Sequence, residues 1–228
     1  MNPTPPGSPM SPPPHPIGSN AVGAARREAR GPVLALLGCA LLGWRVRPVL
    51  GLASALAVPA LLYLFRDPPR VAPQRSDLLM APADGRVLDV RPVVDGYWEQ
   101  EMWEVVIFLS LLDVHVQRSP LAGTVVGTHY RPGAHRPALW PSASERNERL
   151  ETYIRGTVPV TVTQVAGILA RAIVSWVQPG QQLIAGERLG MIKLGSQTHL
   201  RFPRRVRPLV APGDRVQAAL TPVARIED

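Results

Sequence analysis

The sequence predicts a mainly β domain of sandwich or barrel type with few helices, preceded by an N-terminal membrane-associated helical segment. Two textures carry this. Residues 32–65 are almost wholly apolar. Beyond about residue 71, short runs of Val, Ile and Leu alternate with Gly and Pro, which is the pattern of strands and turns. The chain of 228 residues is long enough for one packed domain plus an anchor.

Residues 1–30 form the first region. The stretch 1–20 is rich in Pro, Gly, Ser and Asn, and Arg26, Arg27 and Arg30 follow. So few apolar side chains cannot offset ordering entropy, so disorder is expected here.

Residues 31–66 form the second region. Residues 32–44 are apolar, Arg45 and Arg47 interrupt, and 48–65 are apolar again. The second stretch approaches the roughly 20 residues that cross a bilayer, whereas the first is short for a span. A membrane hairpin, or one span plus an interfacial segment, is expected; a buried helix pair is the alternative. The segment lies too far inside the chain for a secretory signal and has no clear cleavage site. Arg residues on both flanks (Arg26, Arg27, Arg30; Arg66, Arg70, Arg75) favour the cytoplasmic side of a cell membrane for both ends. Asp67-Pro68-Pro69-Arg70 then stops the helix.

The formal net charge is +8, which favours a polyanionic partner. Aromatic residues are only 5% and Arg is scattered, so an anionic bilayer is preferred and nucleic acid is not expected. The one cysteine, Cys39, sits in the apolar stretch. It excludes an intramolecular disulfide and a Cys-based zinc site, and no metal is expected.

Residues 67–228 form the third region. Strands are expected at 85–90, 105–109, 123–126 and 157–162. One helix is expected at 165–177, where Ile168, Leu169, Ala172, Ile173 and Trp176 fall at helical spacing. Two faint internal echoes join 81–87 to 119–125, and 177–183 to 210–216. Similar Pro-Gly turns recur in lipoyl and biotinyl carrier domains, so a non-catalytic carrier-like module on a membrane anchor is one reading.

Three residues invite a chemical reading. Ser196 follows Gly195 in a turn-rich region, His115 lies in Asp113-Val114-His115-Val116, and Asp84 lies in Pro82-Ala83-Asp84-Gly85. Each has an ordinary alternative: a loop hydroxyl, a structural histidine, a turn-forming aspartate. Spacing alone does not make them a triad, because triads are defined by geometry.

A series of motifs, taken in order, resembles the short form of the phosphatidylserine decarboxylase family. The motifs are Phe65-Arg66-Asp67-Pro68, Pro82-Ala83-Asp84-Gly85, Asp113-Val114-His115-Val116 with Arg118 and Pro120, Tyr130-Arg131-Pro132-Gly133, Asn147-Glu148-Arg149, Gln164-Val165-Ala166-Gly167 with Ala170-Arg171, Gly186-Glu187-Arg188-Leu189-Gly190, and Leu194-Gly195-Ser196. Together they run from about 60 to 205, and their co-occurrence is far more specific than any one of them.

The resemblance implies a decarboxylase whose covalent cofactor, a pyruvoyl group, derives from Ser196. Ser196 would attack the Gly195 carbonyl with His115 as base and Asp84 orienting the imidazole. Gly195 lacks a Cβ, so attack is unhindered. Cleavage between 195 and 196 would leave a β chain of residues 1–195 and an α chain of residues 196–228, associated as a heterodimer, with a higher oligomer left open. The substrate would be phosphatidylserine in the membrane, held to the pyruvoyl carbonyl as a Schiff base and released as phosphatidylethanolamine. Arg118 would be placed to meet its phosphate.

The sequence departs from the longer members of the family, which carry a second histidine at the position of Arg118. His115 then serves both stages, or another group returns the proton; His199 is the nearest other histidine in sequence, though a structural role suits it better. A serine hydrolase built on Ser196, His115 and Asp84 is a further alternative, but the Gly-x-Ser-x-Gly elbow of such enzymes is missing.

Overall fold

A computed structural model describes residues 23–134, 146–167, 173–193 and 196–227. Two helices lead the chain, α1 (Ala24–Val46) and α2 (Pro48–Leu64). Only Arg47, in an extended conformation, separates them. Pro48 opens α2, where its missing N–H costs nothing.

The two helices fold back on each other around paired glycines. A Cβ on Gly43 would lie 2.9 Å from the Gly51 nitrogen, and one on Gly51 would lie 2.8 Å from the Trp44 nitrogen. Absent side chains thus set the approach of the two backbones, as small residues do between membrane helices. Leu34, Leu41, Leu42, Trp44, Val49 and Leu56 are exposed on the outside. At the open end, Ala25, Ala29 and Phe65 are buried against Val114, Val116 and Met191 of the β domain.

The hairpin departs from expectation in two ways. The first helix is the longer, because α1 starts at Ala24 and takes in Arg26, Arg27 and Arg30, which composition assigned to the N-terminal tail. Arg45 also does not interrupt it. An Arg is a good helix former and tolerates the last turn, where it complements the helix dipole.

Strands make the remainder. An eight-stranded antiparallel sheet runs in the order β13-β2-β3-β11-β7-β6-β5-β9. Its main members are β2 (Gly85–Asp95), β3 (Gln100–Leu109), β11 (Ser196–Pro203), β7 (Pro159–Val165), β6 (Arg149–Gly156) and β5 (Gly123–Arg131), with β13 (Arg215–Val216) and β9 (Gln182–Leu183) at its edges. A second sheet joins β4 (Val116–Arg118), β10 (Arg188–Ile192) and β8 (Ile173–Ser175) in the order β4-β10-β8. The third joins β1 (Leu78–Met80), β14 (Pro222–Ile226) and β12 (Val206–Pro208) in the order β1-β14-β12.

Alternation along the strands separates two faces. Val105, Ile107, Leu109, Leu200 and Phe202 enter the main core with Leu79, Val87 and Ile154. Between them in sequence, Glu104, His199 and Arg201 form a charged cluster on the other face. Gly85 begins β2 at φ 151, and a Cβ there would collide with the Phe108 carbonyl oxygen.

The helix expected at 165–177 is not formed by its described residues. β7 ends at Val165, and Ile173–Ser175 pair with β10 as β8. Residues 168–172 lie outside the described residues. A run apolar on every side fits a buried strand as well as a helix, and periodicity alone cannot separate them.

Candidate active site

The strand register sets His115 beside the segment that leads to Ser196. β4 runs antiparallel to β10, with Val116 opposite Met191 and Gln117 opposite Gly190. The Ile192 N–H donates to the His115 carbonyl at 3.1 Å. The chain then passes Lys193 and re-enters the main sheet at Ser196, opposite Leu109. His115 therefore lies beside the segment that leads from β10 into β11. Lys193 is itself held by Glu28 of α1 at 2.8 Å. Leu194 and Gly195, and with them the expected scissile bond, lie outside the described residues.

His115 is fully buried. Burial pushes its pKa down to about 4, and the nearby Arg66 charge acts in the same direction, while Asp113 and Asp84 oppose them. Its imidazole is thus neutral at physiological pH and can accept a proton.

Asp84 acts on His115 through its charge. Its hydrogen bonds go elsewhere. Arg70 donates from Nη1 and Nη2 to the two carboxylate oxygens at 2.5 and 2.8 Å, and the Ala218 N–H donates to Oδ1 at 2.8 Å. This fork-to-fork pair is nearly buried and fixes the carboxylate firmly.

Arg118, expected beside a substrate phosphate, is instead taken up inside the protein. It is 2% exposed and donates to Asp67 Oδ1 at 2.7 Å, to the Pro68 carbonyl at 3.0 Å and to the Gly186 carbonyl at 3.1 Å. Arg188 donates to the other oxygen of Asp67 at 2.5 Å. Asp67 would otherwise be a buried lone charge just after the hairpin, so two guanidiniums hold it.

His199 is 2% exposed and faces the charged cluster, within 3.2 Å of Glu104 and 3.1 Å of Gln197. Burial alone would raise the Glu104 pKa, but His199 and Arg201 hold it well below the usual carboxylate range. Beside this cluster the sheet carries a cavity of about 530 Å³, lined by residues including Asp95, Tyr97, His129, Arg149 and Glu151.

Sequence reasoning did not single out Gln117, and it named Gln164 only within a family motif. Gln164 Nε2 donates to Gln117 Oε1 at 2.9 Å, joining the main sheet to the second one. Both side chains are buried. Gln117 Nε2 and the buried Thr198 Oγ1 have no hydrogen-bond partner among the described residues. Thr198 lies directly opposite Gln164 in the sheet, two residues beyond Ser196. No group of His, Cys, Asp and Glu suited to a metal occurs among the described residues.

Fold and site together define a mainly β protein that carries an N-terminal apolar helical hairpin and a buried, neutral histidine near the hairpin's base. Comparison with known proteins narrows this. The family model for phosphatidylserine decarboxylase matches residues 60–224. The phosphatidylserine decarboxylase proenzyme of Gluconacetobacter diazotrophicus is 44% identical over 200 residues, covering 84% of this chain and 88% of its own. That of Granulibacter bethesdensis is 42% identical over 221 residues, covering 93% and 85%. That of Carboxydothermus hydrogenoformans is 40% identical over 198 residues, covering 86% and 91%. The chain belongs to the phosphatidylserine decarboxylase family. Membership sets aside the carrier-module and hydrolase alternatives.

Proposed function

We propose that this chain converts phosphatidylserine to phosphatidylethanolamine at the cytoplasmic surface of the cell membrane, with a pyruvoyl group made from Ser196. The observation that carries this reading is the placement of a buried, neutral His115 beside the segment joining β10 to β11. The relatives' proenzyme names support processing of the chain.

In the first stage Ser196 Oγ attacks the Gly195 carbonyl carbon and gives its proton to His115. The carbonyl electron pair moves to oxygen. The C–N bond then breaks, the Ser196 nitrogen takes the proton from the imidazolium, and the peptide becomes an ester. Removal of the Ser196 α-proton expels the Gly195 carboxylate and leaves a dehydroalanine, and water converts it to the pyruvoyl group with release of ammonia. Asp84, fixed by Arg70, favours the imidazolium electrostatically and needs no direct bond to it.

The residues present fit the product group. A buried amide N–H of Gln117 and the Thr198 hydroxyl have no protein partner among the described residues, and a carbonyl-rich group would give them one. When formed, the pyruvoyl group supplies a carbonyl that condenses with the substrate amine and draws off the electron pair freed as carbon dioxide leaves. His115 then holds the proton that returns to the substrate α-carbon. The buried surroundings exclude water from the reacting atoms.

The cleaved chains need no new contact to stay together. β11, the start of the α chain, lies between β3 and β7 of the β chain. Phosphatidylserine labelled in its serine carboxyl tests the activity. Labelled carbon dioxide is expected from the native protein and none from Ser196→Ala. Consumption of water-soluble serine in place of the lipid would overturn the substrate assignment.

A further inference from the structure

Just before His115 the chain makes a closed turn whose two central side chains face outward. Leu111 is 41% and Leu112 is 65% exposed. The turn is held open to solvent by its own bonds. Ser110 donates from N–H and Oγ to Asp113 Oδ2 at 2.8 and 2.6 Å, and the Asp113 N–H donates to the Ser110 carbonyl at 3.1 Å. The leucines therefore cannot fold inward without breaking three hydrogen bonds.

The turn is also tied to the anchor. Arg66 donates from Nη2 to the Leu112 carbonyl at 2.6 Å and from Nη1 to the Tyr63 carbonyl at 3.1 Å. One guanidinium thus sets Leu112 level with the last turn of α2, where Leu62 and Tyr63 are 47% and 53% exposed. Arg66 lies 4.0 Å from the centre of the Tyr63 ring. Tyr at the end of an apolar helix, beside Arg, marks the level of lipid headgroups. Arg215, 3.3 Å from Asp113, adds a second exposed cation to the turn.

We propose that the Leu111–Leu112 turn is a second lipid contact, seated in the interface of an anionic bilayer beside the hairpin. The apolar surface runs on from α2 to the turn, and cations flank it at headgroup level, which is the chemistry of an interfacial anchor. Val114, which follows, is buried with Phe65 at the hairpin base. The lipid seat and His115 are therefore one rigid piece, and the bilayer surface positions the active site. The inference rests on the reading that the substrate is a membrane lipid.

A spin label on Leu112→Cys in a Cys39→Ser background, in vesicles of phosphatidylcholine and phosphatidylserine, tests the contact directly. The label is expected to meet dissolved oxygen more readily than a water-soluble nickel chelate. A label at Val94 serves as the aqueous reference. Val94 pairs with Glu101 near the start of β3, so the strand sets it roughly 25 Å from the turn. If the label at 112 is as open to nickel as that at 94, the proposal is overturned. The double variant Leu111→Gln, Leu112→Gln supplies a kinetic readout. Chain cleavage and turnover of dispersed short-chain phosphatidylserine are expected to stay native, while the KM on vesicles rises about tenfold. An unchanged vesicle KM in a fully cleaved variant also overturns it. A native chain that decarboxylates neither form of the lipid would defeat the proposed function instead, and the label would still decide the contact.

Discussion

His115 shows how burial alone assigns a role to one side chain. An exposed histidine is partly protonated near neutrality, whereas this one is held neutral until about pH 4. Its protons thus differ between the folded and unfolded chain from pH 6.5 down to about 4. In that window the unfolded chain binds more protons, so stability falls as pH falls. The contribution is complete above pH 6.5 and lost by about pH 4, and amounts to about 3 kcal/mol. Urea melts across that window are expected to show this slope in the native protein and a flatter one in His115→Gln. Self-cleavage should hold a constant rate from pH 8 to about 5, then decline with a single ionisation. Arg70 offers a companion test. Arg70→Met strips a nearly buried carboxylate of its partner, so a loss of about 3 kcal/mol in denaturant melts is expected. The freed Asp84 charge should also raise the His115 pKa. At this scale His115, Asp84 and Ser196 are proposed on motif order, which survives in one dimension. The Arg70–Asp84 and Gln117–Gln164 pairs are not legible there, because each depends on how separate segments pack in three dimensions.

On the proposed function, the helical hairpin sets where chemistry meets lipid. Its apolar length was readable from the sequence, since apolar length needs no tertiary information. Its tight pairing was not, since it depends on which glycines face each other. α1 is long and apolar enough to cross a bilayer by length and composition, and α2 is shorter. The base of the pair packs on β4, and Glu28 holds Lys193, so the hairpin and the segment leading to Ser196 share a frame. Gly51→Leu would drive a side chain into the Trp44 backbone, which must move. We expect a loss of about 1–3 kcal/mol in helix pairing, seen as faster protease cutting at Arg47 in detergent, while Gly38→Leu, which meets open space, should behave as native. The misread helix at 165–177 belongs to the same scale. Ile173 and Val174 are buried and paired with β10. What decides strand over helix there is a neighbour far away in sequence.

At the scale of the whole molecule, the proposed cleavage would make one chain into two without separating them. β11 forms eight register pairs with β3 and five with β7, so a segment cut at its N-terminus would remain the centre of the main sheet. β14 likewise pairs with β1 and β12. The mainly β class with an N-terminal apolar helical segment was legible from texture, but the division into three sheets was not, because strand partners are not encoded in local spacing. The two products are accordingly expected to co-elute in gel filtration and to separate only on denaturation. Intact-mass spectrometry of the denatured protein bears most directly on the account. Two chains are expected, divided between residues 195 and 196, the smaller beginning with a pyruvoyl group in place of Ser196. A single 24.7 kDa chain with Ser196 unmodified would contradict it.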